Sequence, residues 1–248
     1  MKVFVNAIYL SWNDTRARYK KSVLGPLWMT LGNLIGIVGL GWVWGHLLHE
    51  QLASFIPSLT IGMVIWQFIS GTLNEAPTTF IRQAIIIRNV VMPVSFFVIR
   101  AFSRQLINLA HNLLIILGVM IYFGLPFNAN TLWVIPGLIL VILNLFWITW
   151  VLGFIGARFR DIEYTIQALL PLLFFISPVI FRIDRLPIDI KIINYNPFAH
   201  FIEIVRQPLL GTSVNFIHYQ WLLILLLFGV LTGILIQKLY RRYLAFWV

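Results

Sequence analysis

The sequence predicts an all-α integral membrane protein with six transmembrane helices. Residues 105–157 contain no Lys, Arg, Asp or Glu and are interrupted only by a turn at residues 124–128. Hydrophobic residues make up 60% of the chain, charged residues only 10%, and the mean hydropathy is +0.90. This composition excludes a soluble globular protein. Because strand-like alternation is absent and helices satisfy their own backbone hydrogen bonds in lipid, the spans are predicted to be helical.

Six uncharged stretches are each long enough to cross a membrane once. A helix rises about 1.5 Å per residue, so a bilayer core of about 30 Å needs roughly 20 apolar residues. No linker or internal repeat divides the chain, which predicts a single domain over residues 1–248. The predicted spans are residues 22–49, 51–74, 105–125, 131–157, 164–181 and 207–237.

The distribution of basic residues predicts the orientation. All but four of the eighteen Lys and Arg residues lie before span 1, between spans 2 and 3, between spans 4 and 5, or after span 6. Basic residues favour the cytoplasmic side, so both termini are predicted to be cytoplasmic. The net charge of +10 is assigned to contacts with anionic lipid headgroups, and nucleic-acid binding is not expected.

Three segments outside the spans carry further predictions. The N-terminal segment combines apolar residues at helical spacing with clustered basic residues, which is typical of a helix lying in the membrane interface. Residues 77–93 are too charged to cross the membrane but present an apolar surface on which a partner could dock. Residues 182–217 are rich in Ile, Phe and Pro and are predicted to form short re-entrant helices on the outer side.

The sequence contains few groups for catalysis, metal binding or nucleotide binding. No phosphate-binding loop of the type G-x-x-x-x-G-K-[ST] occurs, so ATP-driven work would need a partner. There is no cysteine, and the five histidines form no H-x-x-x-H pair. His46 and His49 lie one helical turn apart, but at the end of span 1 they are more typical of the membrane interface than of a metal site. The densest charge cluster, at residues 158–163, is more typical of ion pairs at a helix end than of an active site. The residues therefore predict no metal or cofactor bound by this chain itself and disfavour catalysis.

Aromatic residues are abundant in and near the spans. Most are expected in interfacial belts or on the lipid-facing surface. A minority facing a pore would suit a sugar chain, because aromatic rings stack on the C–H faces of pyranoses without a fixed hydrogen-bond register. The candidates for such a channel are Trp28, Trp42, Trp66, Phe174, Phe175 and Phe181.

Several short motifs resemble one family of membrane proteins, the ABC-2 type permeases that export polysaccharides. Residues 16–28, RARYKKSVLGPLW, resemble the amphipathic N-terminal segment of this family. Residues 158–162, RFRDI, resemble its cytoplasmic turn before span 5, and Ser177-Pro178 resembles the end of that span. Residues 196–206, NPFAHFIEIVR, resemble the outer segment before span 6, and Met92-Pro93 resembles the end of the link between spans 2 and 3. The motifs cover nearly the whole chain in the expected order.

The resemblance implies a homodimeric permease that works with two ATP-binding cassette subunits. ATP and Mg²⁺ would bind to those partners, and the segment 82–91 would be a coupling helix set into a groove of the ATPase. The substrate would be an undecaprenyl-pyrophosphate-linked polysaccharide crossing the inner membrane: O-antigen foremost, with teichoic acid and capsule left open. The implied ATPase-coupling residues are Arg82, Ile85, Ile86, Arg88, Asn89, Val90, Arg158, Arg160 and Asp161. The implied residues for attracting the substrate headgroup are Arg16, Arg18, Lys20 and Lys21, for which ordinary positive-inside anchoring is the alternative.

Two alternative functions remain open from the sequence. An ABC-2 exporter of a small hydrophobic drug or lipid would have a closed apolar cavity and an ATPase stimulated by small amphiphiles. A membrane-embedded enzyme that modifies glycans would turn over without nucleotide or partner and would cluster polar residues at one membrane face.

Overall fold

A computed structural model describes residues 2–20, 22, 27–47, 51–183 and 195–248, and these residues form a helical bundle without strands. Short 3₁₀ turns at Ala76–Thr78, Ile81–Gln83 and Ala129–Trp133 adjoin the helices. The described helices are α1 (Lys2–Tyr19), α2 (Leu27–Leu47), α3 (Leu52–Glu75), α4 (Ala84–Asn89), α5 (Val94–Tyr122), α6 (Val134–Arg158), α7 (Asp161–Ile176), α8 (Pro197–Leu209), α9 (Ile217–Tyr240) and α10 (Leu244–Trp247).

Four helical segments of the described chain are long and apolar enough to cross a membrane. They are Leu52–Thr78, Val94–Tyr122, Ala129–Arg158 and Ile217–Tyr240. The other two predicted spans correspond to α2, with 21 residues, and α7, with 16. A helix as short as α7 is about 24 Å long, less than the thickness of a bilayer core of about 30 Å. The all-helical class is therefore confirmed, while the count of six crossings stays a prediction.

Helix α3 forms the centre of the bundle. It packs against α2, α5 and α8 and also contacts α6 and α7, so most of its side chains are buried. Next to it, α6 packs along α9, where Gly229 and Gly233 admit the rings of Trp147 and Trp150. Because lipid tails are as apolar as the side chains, such close packing is what holds helices together inside a membrane.

The start of span 3 was predicted wrongly. The sequence placed Arg100 and Arg104 in the link before the span, whereas α5 begins at Val94 and contains both residues. Arg100 forms an ion pair with Asp14 of α1 at 2.8 Å, and Arg104 forms one with Glu75 at the end of α3 at 3.3 Å. Arginine is a strong helix former, so neither residue ends the helix, and the two ion pairs hold α5 against α1 and the end of α3.

The start of span 6 was also predicted wrongly. Gln207, the predicted first residue of the span, belongs to α8, which ends at Leu209. Gly211 then adopts a positive φ of 72°, a conformation that commonly ends a helix, and α9 begins only at Ile217. Helix α8 is almost entirely buried against α3, α6 and α9. Its re-entry into the membrane stays a prediction, and residues 184–194 of the same link lie outside the described residues.

Helix α1 packs on α5 through small side chains. Ala7, Ser11 and Thr15 are buried, and the Ser11 hydroxyl donates a hydrogen bond to the backbone oxygen of Arg100 at 2.6 Å. The larger apolar residues of α1 that the sequence singled out, among them Tyr9 and Trp12, are exposed. An apolar face directed away from the protein is what a helix in the membrane interface requires, and this supports the predicted placement.

Candidate functional site

The link between α3 and α5 is anchored to the bundle at its base. The Phe80 ring is fully buried and lies 5.0 Å from the ring of Phe154. The Gln83 amide is buried and donates hydrogen bonds to the backbone oxygens of Thr79 at 2.9 Å and Phe97 at 3.1 Å. These contacts fix the orientation of the short helix α4, which follows directly.

The tip of this link is exposed. Ile85 in α4 is 80% exposed, and Val91, two residues after the end of α4, is fully exposed. Ile86 instead packs on a small core formed around Phe80 and Phe154. The sequence grouped Ile85 and Ile86 in one contact surface, but the helix separates them: Ile86 holds the link in place and Ile85 faces outwards.

The other predicted coupling residues of the link have different surroundings. Arg82 is about half exposed and pairs with Glu75 at 3.7 Å. The exposed Asn89 side chain donates a hydrogen bond to the backbone oxygen of Ile85 at 2.7 Å, and Val90 is exposed. Arg88 reaches the end of the described chain, where its Nε donates a hydrogen bond to the Val248 oxygen at 2.8 Å.

The turn between α6 and α7 contacts the same C-terminal residues. Arg160 donates a hydrogen bond to the Trp247 backbone oxygen at 3.2 Å, and the Arg158 guanidinium lies 5.9 Å from the Trp247 ring centre. Asp161 begins α7 and is exposed. Residues 244–248 thus connect the turn to the link between α3 and α5, and we call them the C-terminal clasp. Sequence reasoning missed this clasp, although an aromatic pair after Arg241-Arg242 was the available signal.

The predicted basic cluster near the N-terminus is described in part. The side chains of Arg16 and Lys20 are exposed one helical turn apart, on a single side of the chain. The side chain of Arg18 and the whole of Lys21 lie outside the described residues. Arg16 and Lys20 thus place two positive charges on one exposed side of the N-terminal segment. The roles assigned to all four basic residues stay predictions.

The predicted channel aromatics are divided among three places. Trp66 and Phe174 meet edge to face, with ring centres 5.7 Å apart, and Phe175 adjoins Phe174 at 5.3 Å. These three line a cavity of about 380 Å³ between α3 and α7. Trp28 and Trp42 instead lie exposed on α2, and Phe181 follows α7, with its backbone oxygen accepting a hydrogen bond from Arg206.

Helices α3 and α5 border an open cavity that the sequence reasoning missed. The cavity has a volume of about 290 Å³. Among apolar residues, its walls carry the Glu75 carboxylate, which is paired with Arg104. They also carry the amide side chains Gln67, Asn74, Gln105, Asn108 and Asn112. These residues have helical spacing within two apolar segments, and that spacing was the signal available in the sequence.

A second polar network holds α8 to its neighbours. Arg206 and Glu203 are both buried and form an ion pair at 2.8 Å, and Arg206 also donates to the Val179 oxygen at 3.1 Å. The Nδ1 atoms of His200 and His218 are 2.7 Å apart, so one ring donates the hydrogen bond and the other accepts it. Buried groups paired in this way orient α8 against α9.

Comparisons of the sequence with known proteins identify its family. A family model described as ABC-2 type transporter matches residues 6–210. The chain is 24% identical over 237 residues to the O-antigen export system permease protein RfbA of Klebsiella pneumoniae, covering 95% of this chain and 90% of that protein. It is 25% identical over 229 residues to the polysialic acid transport protein KpsM of Escherichia coli, covering 87% of each. An RfbA protein of Myxococcus xanthus is 22% identical over 183 residues, covering 72% of this chain and 69% of that protein.

Proposed function

This chain belongs to the ABC-2 type transporter family, and we propose that it is the permease subunit of an exporter for a lipid-linked polysaccharide, with O-antigen as the polymer. Two copies form the path across the inner membrane, and two ATP-binding subunits dock on the cytoplasmic side. Both termini lie on that side. ATP and Mg²⁺ bind to the partner subunits and not to this chain.

One observation carries the proposal: the link between α3 and α5 has a fixed base and an exposed apolar tip. Ile85 and Val91 direct apolar surface away from the bundle, while Phe80 and Gln83 lock the base. Such an arrangement suits a rigid element that sits in a groove of another protein. Closure of the ATPase subunits would then move this link and the helices attached to it as one body.

Similarity to RfbA and KpsM supports a polysaccharide as the exported substrate, since both names refer to the export of glycan polymers. The undecaprenyl-pyrophosphate anchor follows from the same family resemblance, and the exposed cations Arg16 and Lys20 would attract its phosphates near the membrane surface.

Deletion of the gene in its native host tests the substrate. We expect surface polymer to disappear and lipid-linked polymer to accumulate inside, and a plasmid copy to restore export. Export that continues unchanged without the gene contradicts the proposal.

Substitution of Ile85 at the exposed tip tests whether the ATPase subunit docks there. Ile85→Asp places a charge on the docking surface without changing the core, so the permease should reach the membrane in normal amounts and no longer co-purify with its ATPase. Ile121→Asp, at a comparably exposed position of α5 away from the link, is a control if its amount in the membrane is also normal. Equal co-purification of the Ile85 variant and wild type would contradict docking at this tip.

Reconstitution separates the proposal from the two alternatives. Vesicles that contain permease and ATPase should export glycolipid only with ATP. An ATPase activity that responds to small amphiphiles and ignores glycolipid would indicate a drug or lipid exporter. Chemical change of the glycolipid by the permease alone would indicate an enzyme.

A further inference from the structure

One face of α3 carries polar side chains along a helix that is otherwise apolar. Gln67, Ser70 and Asn74 are spaced three, four and seven residues apart and so share one side of the helix. Gln67 is exposed, and Ser70 and Asn74 are half-buried. On α5, Gln105, Asn108 and Asn112 repeat the same spacing opposite them. We call these six residues the amide face.

The amides of this face are linked to one another only in part. Asn112 donates to the Gln67 side-chain oxygen at 3.3 Å and accepts from Asn33 of α2 at 2.8 Å. Asn108 donates to the Gln105 side-chain oxygen at 3.4 Å. The Asn74 amide makes no side-chain hydrogen bond within the described part of the chain, so it has capacity for another partner.

Lipid is an unfavourable neighbour for such a surface. Moving an amide from water to an apolar medium without a hydrogen bond costs roughly 2–7 kcal/mol. Polar side chains within spanning helices therefore face the interior of a bundle or a water-filled path. The exposed Gln67 and the half-buried Asn74 require a polar occupant on this side of α3.

Aromatic rings adjoin the amide face. Ser70 and Asn74 also line the neighbouring cavity of about 380 Å³, whose other wall contains Trp66, Phe174 and Phe175. One surface of α3 thus has neutral hydrogen-bonding groups on one side and aromatic rings on the other. Sugar hydroxyl groups match the first, and the C–H faces of sugar rings match the second.

We propose that the accessible members of the amide face form a binding surface that the hydroxyl groups of the exported polymer contact during passage. These members are Gln67, Ser70, Asn74 and Asn108. Gln105 and Asn112 are buried and hold Asn108 and Gln67 in place through hydrogen bonds. This inference rests on the proposed export function.

The carboxylate that lines the cavity between α3 and α5, Glu75, is paired with Arg82 and Arg104. The neutral amides are suited to binding the polymer because they exchange hydrogen bonds with hydroxyl groups without the strong attraction that an unpaired charge would add. The chain can then slide from one amide to the next.

Thiol labelling tests whether the face meets water. The chain has no cysteine, so single substitutions give no background. Gln67→Cys and Ser70→Cys should react with a charged, membrane-impermeant thiosulfonate in cell membranes, because thiols react as hydrated thiolates. Leu231→Cys and Leu235→Cys are the controls. They lie about as far from the start of α9 as residues 67 and 70 lie from the start of α3, and their side chains are 68% and 57% exposed. Reaction of the α3 variants no faster than that of the controls would overturn the proposal.

Protection of Ser70→Cys from thiol labelling tests whether the polymer occupies the amide face. Labelling of Ser70→Cys is compared in host membranes that make the polymer and in membranes that lack the first sugar transferase, with a hydrolysis-deficient ATPase to stall export. We expect severalfold slower labelling when polymer is present. Equal rates in the two membranes would overturn the proposal. So would a disulfide between two copies of the Ser70→Cys variant, since a second copy would then cover the face.

Export by side-chain variants tests the hydrogen bonds. Asn74→Leu removes the amide at nearly constant volume and should reduce surface polymer about three- to tenfold, the effect of one hydrogen bond. Asn74→Gln should restore export. Both variants must match wild type in membrane amount and in co-purification with the ATPase. If Asn74→Leu exports normally while gene deletion abolishes export, the amide face is refuted and the export function stands; if deletion has no effect, the export function itself fails.

Discussion

At Gly156, the backbone of α6 lies in direct contact with the backbone of Pro77. A Cβ atom at this residue would lie 2.6 Å from the Cα of Pro77 and 2.7 Å from its carbonyl carbon. Backbone atoms cannot rotate away as a side chain can. The base of the link between α3 and α5 therefore sits against α6 only because residue 156 has no side chain.

Gly156→Ala should destabilise the protein by about 1–3 kcal/mol, the usual cost of forcing atoms into a filled space. Thermal unfolding of the purified permease in detergent measures this effect. Gly118→Ala is the matched control, because a Cβ there has nothing within 4 Å. Equal unfolding temperatures for the two variants would contradict the close contact between residues 156 and 77.

The buried pair of Arg206 and Glu203 has a large effect when only one partner is removed. Arg206→Met leaves the Glu203 carboxylate buried beside an apolar chain, which typically costs about 3–5 kcal/mol. The double variant Arg206→Met, Glu203→Gln removes both charges and should recover part of this loss. Thermal unfolding of wild type and the three variants, including Glu203→Gln alone, completes the cycle. Additive effects of the two single changes would show that the pair is not coupled.

Sequence reasoning anticipated exposed apolar surface where the chemistry is local, and the role of that surface in docking stays a prediction. The apolar tip was recognised from residues 77–93 because apolar side chains in a charged segment have no place in a spanning helix. The surroundings of the aromatic candidates could not be predicted, since amino-acid type alone does not reveal that Trp28 and Trp42 occupy exposed positions. The amide face was missed because each Asn or Gln is unremarkable alone, and its meaning depends on the contact between α3 and α5.

At the scale of elements, helix ends were harder to predict than helix existence. Counting charges placed the start of α5 eleven residues too late, at residue 105 instead of Val94, because arginine does not end a helix and Arg100 and Arg104 pair with Asp14 and Glu75. These carboxylates lie in other helices. The pairing is therefore a property of the tertiary structure and cannot be read from one segment.

The C-terminal clasp joins elements that are distant in sequence. Trp247 stands beside Arg158, its backbone oxygen accepts from Arg160, and the next residue accepts from Arg88. A displacement of the link between α3 and α5 can therefore be transmitted to the start of α7 through these contacts. We expect the clasp to keep these two elements in a fixed relation during the ATPase cycle.

Trp247→Ala should weaken this connection. We expect the complex with ATPase to assemble, and the amount of glycolipid exported per ATP hydrolysed in vesicles to fall severalfold. Phe246→Ala is the matched control, since the neighbouring Phe246 is 85% exposed. Equal ratios of export to hydrolysis for the two variants would show that the clasp does not transmit motion.

At the scale of the whole molecule, the bundle has two chemically different ends. The link between α3 and α5, the turn between α6 and α7 and the C-terminal clasp meet at one end, where Arg88 and Arg160 contact the clasp. The loop between α8 and α9 lies at the other end, where Ser213 and Asn215 are exposed. Because basic residues are retained on the cytoplasmic side during insertion, the first end is predicted to face the cytoplasm.

Cysteine labelling in whole cells measures this orientation directly, since the natural chain has no cysteine. Ser213→Cys should react with a membrane-impermeant maleimide in intact spheroplasts. Lys20→Cys and Arg242→Cys, both exposed at the opposite end, should react only after the membrane is permeabilised. Labelling of Lys20→Cys in sealed spheroplasts would reverse the orientation, and it would also place the exposed Ile85 tip on the side of the membrane where no ATPase could reach it.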